Sequence, residues 1–401
     1  MEPNGRPDGI LGSEESKHKS MKEIIGKYTS AKIFNDKIED NDSTVWQIKG
    51  LINEHEAFAG SKVRIMPHLR SDLCFPIGLT ATATDKVTPG IVDDDLGCGV
   101  TLAKVKVREL DFEKLDDVIR KYVPSGSKLF KNPHRFADQV DFDRLYCIDH
   151  IDQEKAISSI GTLGGRSHFI ELDEDDSGNL YVAVLSGSRR LGREVSEYYI
   201  ESGWQTILKT GRGYPRGYSW VEGDLKESYL NDAAFVTEFA ALNRAAILDT
   251  LCRNMKWKIQ ESYSCPHNYI DMESRELIIR KGAVSAKAGE KVIIPVNMRD
   301  GIIVGTGKGN PDWNESAPHG SGKVLTRLEA KQKHTLTMFR RTMEGIYSSS
   351  IDNNMLNESP FAYRGIEEIK AAITDTVVVE EVLKPIYNFK AGDDEKERWW
   401  L

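Results

Sequence analysis

Cysteine is scarce in this sequence, and long apolar runs are missing from it. The five cysteines among 401 residues are an odd number, are widely spaced and form no C-x-x-C pair. This pattern argues against a disulfide framework and against a zinc ribbon. Because the chain nowhere runs 18 apolar residues together, the sequence also predicts no transmembrane helix.

An excess of basic residues is missing too. Lysine and arginine number 54 against 62 aspartates and glutamates, which gives a net charge of −8. This balance argues against a broad basic surface that binds nucleic acid non-specifically, but it leaves room for a local basic groove. The first 23 residues contain no apolar core of signal-peptide length. We therefore expect a soluble, cytoplasmic protein with no membrane partner.

The sequence does contain enough apolar residues for a large core, because 39% of its residues are hydrophobic and 29% are charged. Helical and strand-like patterns are mixed along the chain, without solenoid-type repeats or an internal Gly/Ser linker. We predict one large α+β domain. Residues 1–20 are polar and rich in Gly, Pro and Ser, and we predict that they form a flexible lead-in.

Apolar residues recur at helical spacing in five segments. Helices are predicted to begin at a cap in 41–43 and at Asp111, to span about 231–258, and to run through 325–343 and 366–377. Short apolar runs predict strands at 62–67, 102–107, 180–185, 277–279, 292–295 and 302–305.

The first segment with chemical potential is 91–100, where Asp95 and Cys98 are three residues apart and are flanked by Gly97 and Gly99. On a regular strand the two side chains would point to opposite faces. Glycine permits a turn that directs the carboxylate and the thiolate to one point. The segment therefore predicts a metal-binding corner, and the alternative is a turn that buries a small cysteine.

Two histidines stand beside turn-forming residues. His168 follows the glycine-rich stretch 161–165, where backbone N–H groups can approach a phosphate and an imidazole can hold a metal. His267 follows Pro266 at the end of the region of the predicted long helix. A single histidine in such a setting is more often a packing or hydrogen-bonding residue, so this segment is ambiguous when taken alone.

A fourth segment places His319 directly before the turn Gly320-Ser321-Gly322 and a predicted helix. The start of a helix favours anions, and an imidazole there can act as a nucleophile or a base toward phosphate. The segment is not a Walker A motif, which would need an earlier glycine and a Ser or Thr after Lys323.

Taken together and in this order, these segments resemble the RtcB family of RNA ligases. Members carry D-x-G-C-G, G-T-L-G-G-G-N-H-F-I-E, H-S-G-S-R-G, C-H-H-N-Y, R-K-G-A, I-P-G-S-M-G and H-G-A-G-R, and a lysine close to the C-terminus. The corresponding residues here are 95–99, 161–171, 185–189, 265–269, 280–283, 294–299, 319–323 and Lys390. The resemblance covers about 60–390. It implies an RtcB-like catalytic domain at 21–391, with a β-rich core surrounded by helices and a central metal and nucleotide pocket, followed by a charged tail at 392–401.

The resemblance implies a GTP- and Mn²⁺-dependent ligase acting in RNA repair or tRNA splicing. Its RNA substrates would carry a 3′-phosphate or a 2′,3′-cyclic phosphate at one end and a 5′-hydroxyl at the other. The family nucleophile is the histidine of H-G-A-G-R, so His319 would attack the α-phosphate of GTP. The resulting GMP would pass to the RNA 3′-phosphate, and the 5′-hydroxyl would then displace it.

The resemblance also implies the binding residues. One or two Mn²⁺ ions would be held by Asp95, Cys98, His168 and His267. GTP would contact Glu171, Asn297, Met298, Gly320, Ser321, Gly322, Tyr363 and Lys390. For RNA, we expect a local groove formed by Arg189, Arg190 and Arg193.

Several residues depart from the family pattern. Leu185 stands where the family has a metal-ligand histidine, Met66-Pro-His-Leu stands where Met-Pro-Asp-x-His is usual, and glycine, asparagine or histidine is replaced at Arg166, Ser167, Val296, Arg299 and Pro266. These changes keep two alternatives open. One is a catalytically weakened paralogue that binds RNA ends or nucleotide, and the other is a hydrolase that stops after opening a cyclic phosphate.

Overall fold

Two large β-sheets with helices packed around them form the fold. The computed structural model describes residues 21–35, 37–165 and 168–391. The predicted lead-in at 1–20 and the predicted tail at 392–401 lie outside these residues. Within the described part, no helix has the length and apolar character needed to cross a bilayer.

The described residues contain seventeen strands and eight α-helices. The strands are β1 (Lys22–Ile25), β2 (Ser30–Ile33), β3 (Val63–Arg70), β4 (Ile77–Thr82), β5 (Lys86–Val87), β6 (Gly99–Lys106), β7 (Phe169–Glu174), β8 (Leu180–Ser186), β9 (Val221–Glu222), β10 (Lys258–Pro266), β11 (Asn268–Asp271), β12 (Ile278–Lys281), β13 (Ala283–Ser285), β14 (Lys291–Asn297), β15 (Gly301–Gly307), β16 (Ser316–Pro318) and β17 (Val377–Lys390). The helices are α1 (Ser43–Glu54), α2 (Phe112–Tyr122), α3 (Gln153–Ser158), α4 (Arg190–Lys209), α5 (Gly223–Met255), α6 (Arg327–Lys333), α7 (Leu336–Thr342) and α8 (Ile366–Ala372).

The larger sheet positions most of the candidate site. Its seven strands run in the order β10-β6-β8-β7-β17-β15-β14, and a six-stranded sheet has the order β1-β2-β3-β4-β12-β11. The larger sheet curls until its two edge strands approach each other, with the Cys265 Sγ of β10 3.6 Å from the Lys291 carbonyl oxygen of β14. Apolar residues of six strands fill the inside of this curl, and the other face packs on α2 and α5.

Local signals explain why the predicted helices begin where they do. The Asp42 side chain accepts a hydrogen bond from the Thr44 N–H at 2.7 Å, and Asp111 accepts one from the Lys114 N–H at 2.9 Å. Both are N-cap interactions that satisfy a backbone donor of the first turn. The mixture of helices and sheets confirms the predicted α+β class.

Three predicted elements were wrong in part. The long helix begins at Gly223, earlier than predicted. The segment 325–343 contains two short helices, because Thr335 accepts a hydrogen bond from the Met338 N–H and caps a new helix after His334. Val377 begins strand β17 and does not continue the last helix. A strand, β10, separates the long helix from His267, so that histidine does not lie at a helix end.

Candidate metal and nucleotide site

Three of the predicted metal ligands meet in one corner at the end of β6. Asp95, Cys98 and His267 each offer a ligand atom, and these atoms all lie within 4.8 Å of one another. Cys98 and His267 are buried, whereas Asp95 is exposed. The three residues therefore form a candidate metal site that is exposed on the carboxylate side.

The backbone explains why the chain brings these side chains together. The Cys98 N–H donates to the Asp95 carbonyl oxygen at 3.0 Å, which closes the turn between them. Gly97 has a φ of +82°, and a β-carbon there would lie 2.9 Å from the Val236 carbonyl oxygen, so this position requires glycine. The His267 N–H donates to the Cys98 carbonyl oxygen at 2.8 Å, which places the two ligand residues side by side.

His168 adds a fourth donor next to Cys98. Its Nε2 lies 3.7 Å from the Cys98 Sγ, and its Nδ1 lies 2.8 Å from the Leu163 carbonyl oxygen. The carbonyl can only accept, so Nδ1 carries the proton and the Nε2 lone pair faces the thiol. This is the tautomer that a metal-binding imidazole requires.

The electrostatics of the corner suit a divalent cation. Burial raises the pKa of the Cys98 thiol well above its usual value and lowers the pKa of His267. A metal replaces the thiol proton when it binds, and neutral imidazoles and a carboxylate complete a mixed donor set. The side chain of Asn268 donates to Asp95 and thereby orients that carboxylate.

Arg244 of α5 donates hydrogen bonds to the backbone next to the metal corner, and no sequence motif predicted this residue. Its guanidinium is 1% exposed and donates to the Gly97 and Ser186 carbonyl oxygens at 3.2 and 2.8 Å. Within the part of the chain that the structure describes, it makes no ion pair with a carboxylate. A buried cation beside Cys98 stabilises a thiolate, and its hydrogen bonds fix the turn that carries the cysteine.

Leu185 lies close to this corner but offers no ligand. It pairs with Val100 on one side and with Phe169 on the other. Its side chain is half-buried and packs on the apolar residues inside the curled sheet. The position where the family has a histidine is therefore part of an apolar wall.

His319 stands at the edge of the metal corner. Its ring centroid is 4.6 Å from that of His267. Its Nδ1 lies 2.7 Å from the Gly282 carbonyl oxygen, which fixes the proton on Nδ1 and leaves the lone pair on Nε2. Burial lowers the pKa of His319 to about 4, so the imidazole is neutral at physiological pH. A neutral imidazole with its Nε2 lone pair available can act as a nucleophile.

His68 of β3 is a site residue that the sequence motifs do not predict. Its Nε2 lies 2.8 Å from the Nδ1 of His319, although 251 residues separate the two in sequence. His68 is buried, and the structure gives its Nδ1 no hydrogen-bond partner among the described residues. The one available signal was its place in the Met-Pro-His-Leu segment, where the family carries aspartate.

Lys390 and Tyr363 meet in a second buried cluster with two residues that were not predicted, Lys323 and Glu358. The Glu358 carboxylate accepts from the Tyr363 hydroxyl at 2.6 Å, from Lys390 at 3.2 Å and from Lys323. Burial acts to raise the pKa of Glu358, but the two lysines lower it to about 2. Lys323 and Lys390 are thus the two cations that an anionic ligand could contact in this cluster.

The two predicted nucleotide loops contact each other. The Ser321 hydroxyl donates to the Val296 carbonyl oxygen at 2.6 Å, which ties the His319 turn to the end of β14. Asn297 caps its own loop by accepting from the Arg299 and Asp300 N–H groups at 3.0 Å. The Met298 side chain is buried in an apolar cluster with Phe339 and Met355, so only its backbone faces the loop.

Glu171 of β7 reaches the inside of the curled sheet. It is 3% exposed and accepts a hydrogen bond from the Asn388 side chain. It lies two residue pairs from Lys390 along the β7–β17 ladder, because Asn388 pairs with Glu171 and Lys390 pairs with Phe169. The structure thus gathers Glu171, Lys390 and Tyr363 on one side of the metal corner.

The three predicted RNA-binding arginines do not share one surface. Arg189 is half-buried, and its Nε donates to the Thr162 hydroxyl at 3.1 Å. Arg190 and Arg193 are exposed at the start of α4, where Arg190 pairs with Glu194 and Arg193 lies 3.8 Å from the Asp94 carboxylate. Their role in RNA binding stays a prediction, and the exposed pair is the part that an RNA can reach.

The fold and the site together are those of an α+β protein with a candidate metal centre beside a basic pocket. A family model described as tRNA-splicing ligase RtcB matches residues 138–391. The chain is 26% identical to the RNA-splicing ligase RtcB of Escherichia coli strain K12, over 82% of this chain and 90% of that protein. It is 25% identical to the tRNA-splicing ligase RtcB of Archaeoglobus fulgidus, over 76% and 82% respectively. The tRNA-splicing ligase RtcB of Pyrobaculum aerophilum is 23% identical, over 80% and 85%.

The chain belongs to the RtcB family. The family model covers well over half of its length, which confirms the family predicted from the ordered motifs. The low identity to each relative agrees with the departures at Leu185 and in the nucleotide loop, and it makes this chain a divergent member.

Proposed function

We propose that this chain is an RNA ligase that uses GTP and Mn²⁺ to join an RNA 3′-phosphate or 2′,3′-cyclic phosphate to a 5′-hydroxyl, in RNA repair or tRNA splicing. The observation that supports it most is the state of His319. Its Nδ1 is held by the Gly282 carbonyl at 2.7 Å, and its ring contacts the metal corner. The names of the relatives support the RNA-ligase part of this proposal, since they are called RNA-splicing or tRNA-splicing ligases.

In the proposed reaction, the Nε2 of His319 forms a bond to the α-phosphorus of GTP while the bond to the bridging oxygen breaks. Pyrophosphate leaves with that electron pair, and GMP stays on the histidine. An oxygen of the RNA 3′-phosphate then displaces His319, which gives an RNA–GMP anhydride. The RNA 5′-hydroxyl attacks the activated phosphate, loses its proton to solvent and releases GMP. A cyclic phosphate would first be opened by water.

The buried cluster around Glu358 has the role of binding the nucleotide in this proposal. Lys390, Lys323 and Tyr363 would bind the anionic nucleotide, and the Gly320-Ser321-Gly322 turn would bring backbone N–H groups to its phosphates. Gly282 would keep the nucleophile in the right tautomer through all three steps. The Ser321 bond to Val296 would hold the two nucleotide loops at a fixed separation.

The donor set of the corner fits a divalent ion such as Mn²⁺. Asp95, Cys98 and His267 would hold it, with His168 as a further ligand, since the first three donor atoms converge and the His168 tautomer leaves its Nε2 lone pair facing Cys98. When bound, the ion supplies charge neutralisation at the phosphates.

A second candidate function is favoured by Leu185. An apolar side chain in place of a ligand removes part of a second metal site, as expected for a weakened paralogue that binds RNA ends or nucleotide without ligating them. Retention of His319 next to three converging ligands favours the ligase.

The experiment is incubation with Mn²⁺ and GTP labelled with ³²P at the α-phosphate, followed by denaturing gel analysis. We expect a labelled protein band, and we expect His319→Ala to abolish it because that imidazole is the nucleophile. His150→Ala is the matched control, since His150 is exposed and its ring contacts Tyr198 and none of the site residues named above. A band that persists in His319→Ala would identify another nucleophile. Absence of a band in the unmodified protein would favour the paralogue that only binds.

A further inference from the structure

Asp173 is a buried carboxyl group that none of the motifs includes. It lies two residues after Glu171 on β7, so both side chains point to the same face of the strand. That face is the inside of the curled sheet, where Phe169 and Tyr181 belong to the apolar cluster. Asp173 is 0% exposed and Glu171 is 3% exposed.

The groups around this pair leave Asp173 without a hydrogen-bond donor. Among the described residues, no N–H or O–H donates to either of its oxygens. Its strand partners are Tyr181, whose hydroxyl donates to Asp175, and Pro385, which has no N–H. The polar group beside Asp173 is the Glu171 carboxyl, and burial together with this carboxyl raises the pKa of Asp173.

The Glu171 carboxyl group has a hydrogen-bond donor and a cation beside it, but that cation is shared. It accepts from the side chain of Asn388, and the cation that acts on it is Lys390, which is itself paired with Glu358. No charged group other than Lys390 and Asp173 acts on Glu171 among the described residues. The pair therefore faces one cation that is shared with a third carboxylate.

Two carboxylates cannot both be ionised at close range in an apolar interior. Burial raises the pKa of both Asp173 and Glu171. If one carboxyl keeps its proton, it becomes an O–H donor, and the missing donor is supplied from within the pair. Asp173 is the group to keep it, because Glu171 already has Asn388 and Lys390 to stabilise its charge.

We propose that Asp173 is a positioning residue, which stays protonated and donates its O–H to Glu171. This hydrogen bond holds the Glu171 carboxylate as an oriented acceptor for the N–H groups of a bound guanine nucleotide. The inference rests on the proposed use of GTP. Asp173 does not touch the nucleotide in this arrangement, since Glu171 lies between it and Lys390 along β7 and β17. Asn388 holds the other Glu171 oxygen, so the two donors together fix the plane of the carboxylate.

The first test needs no nucleotide. The infrared carbonyl stretch of a protonated carboxyl is measured at about pH 8, where an ordinary aspartate is ionised. We expect a protonated-carboxyl band in the difference spectrum between the unmodified protein and Asp173→Asn. The difference spectrum for Asp117→Asn should lack that band, because Asp117 is exposed on α2. A spectrum without a protonated carboxyl at Asp173 would overturn the proposal, whether or not GTP is used.

The second test measures the affinity for GMP by calorimetry in two variants. In Asp173→Asn the amide N–H replaces the O–H donor, so we expect affinity within about threefold of the unmodified protein. In Asp173→Leu the donor is lost, and we expect affinity to fall roughly tenfold or more, the size of a lost hydrogen bond to a charged group. Thermal unfolding of both variants checks that they are folded. Equal affinity in Asp173→Leu and the unmodified protein would overturn the positioning role. If the unmodified protein fails to bind GMP, the proposed function fails, and the infrared band still decides the protonation of Asp173.

Discussion

The metal corner and the apolar wall next to it meet at the start of β6, and they differ in chemistry. Cys98 immediately precedes β6, and Val100, two residues further on, pairs with Leu185 of β8. On the corner side, carboxylate, thiol and imidazole atoms converge within 4.8 Å. On the wall side, Leu185 packs with Val100 and Phe169. The chain thus places an apolar side chain at Leu185 beside three converging polar ligand atoms, and a different residue at position 185 needs no change of strand pairing.

The largest effect is expected from breaking the corner. Cys98→Ala should weaken Mn²⁺ binding by more than the roughly 10–100-fold seen when an outer-shell partner of a metal is removed. The reason is that the Cys98 sulfur lies 3.7 Å from the His168 Nε2 and within 4.8 Å of the ligand atoms of Asp95 and His267, so its loss removes a donor from the centre of the site. Metal content by elemental analysis after dialysis measures the loss. Cys252→Ala is the control, because Cys252 is a buried cysteine in a different cluster. Unchanged metal content would mean that Cys98 is only a buried turn cysteine.

A smaller effect is expected from His68, at the outer edge of the corner. His68→Leu should slow the labelling of the protein by GTP roughly three- to tenfold, because the Nδ1 of His319 loses one of its two polar neighbours. His68→Gln retains a carbonyl acceptor and should recover most of the rate. The initial rate of labelling at saturating GTP is the readout. Equal rates in the Leu and Gln variants would show that His68 only fills space.

The apolar wall is tested by placing a histidine at position 185, where the family has one. Leu185→His should tighten a second metal site and raise the labelling rate a few-fold, provided that the pocket admits an oriented imidazole. We expect that site in the unmodified protein to be weak and to fill mainly when GTP supplies phosphate oxygens. Metal titrations with and without GTP measure it, and Leu185→Phe controls for a ring without nitrogen. Two tight metals in the unmodified protein without nucleotide would contradict this view.

The smallest effect is expected at the exposed arginines beside the corner. Replacing Arg190 and Arg193 with glutamine should reduce the log–log salt slope of RNA binding by about 0.7 for each phosphate that the protein no longer neutralises. Both are already partly neutralised by Glu194 and Asp94, so the loss of affinity at one salt concentration should be modest. Arg189→Gln is the comparison, since its inward hydrogen bonds predict a loss of stability instead. If the salt slope and the affinity of RNA binding are unchanged in the double variant, the RNA groove lies elsewhere.

The sequence predicted the parts of the site that are local. Asp95 and Cys98 are joined by one turn, and glycine at 97 signals that turn because its positive φ disfavours other residues. The capping residues Asp42 and Asp111 likewise fix their helices through hydrogen bonds within three residues. Such features depend on neighbours along the chain, so a local pattern is enough to predict them.

The parts that could not be predicted depend on distant pairings. His68 meets His319 only because β3 packs against the His319 turn, where a β-carbon at Gly322 would come within 2.8 Å of His68. Lys323 and Glu358 join through the fold, without a sequence pattern that links them. Strand β17 lacks a clear strand pattern because Pro385 and charged residues interrupt its apolar run, and a bulge at that point absorbs the irregularity.

The position of β17 has a consequence for how the protein folds. This strand, Val377–Lys390, is the last of the sheet to leave the ribosome, yet it lies between β7 and β15 and joins them. Until it is made, no strand pairing among the described residues joins the β14–β15 hairpin to the rest of the larger sheet. The metal corner can assemble during synthesis, because its strands come earlier, whereas the pocket that contains Lys390 is completed only after translation has passed residue 390. A nascent chain halted before β17 should therefore acquire the ability to bind metal before it acquires the ability to bind nucleotide.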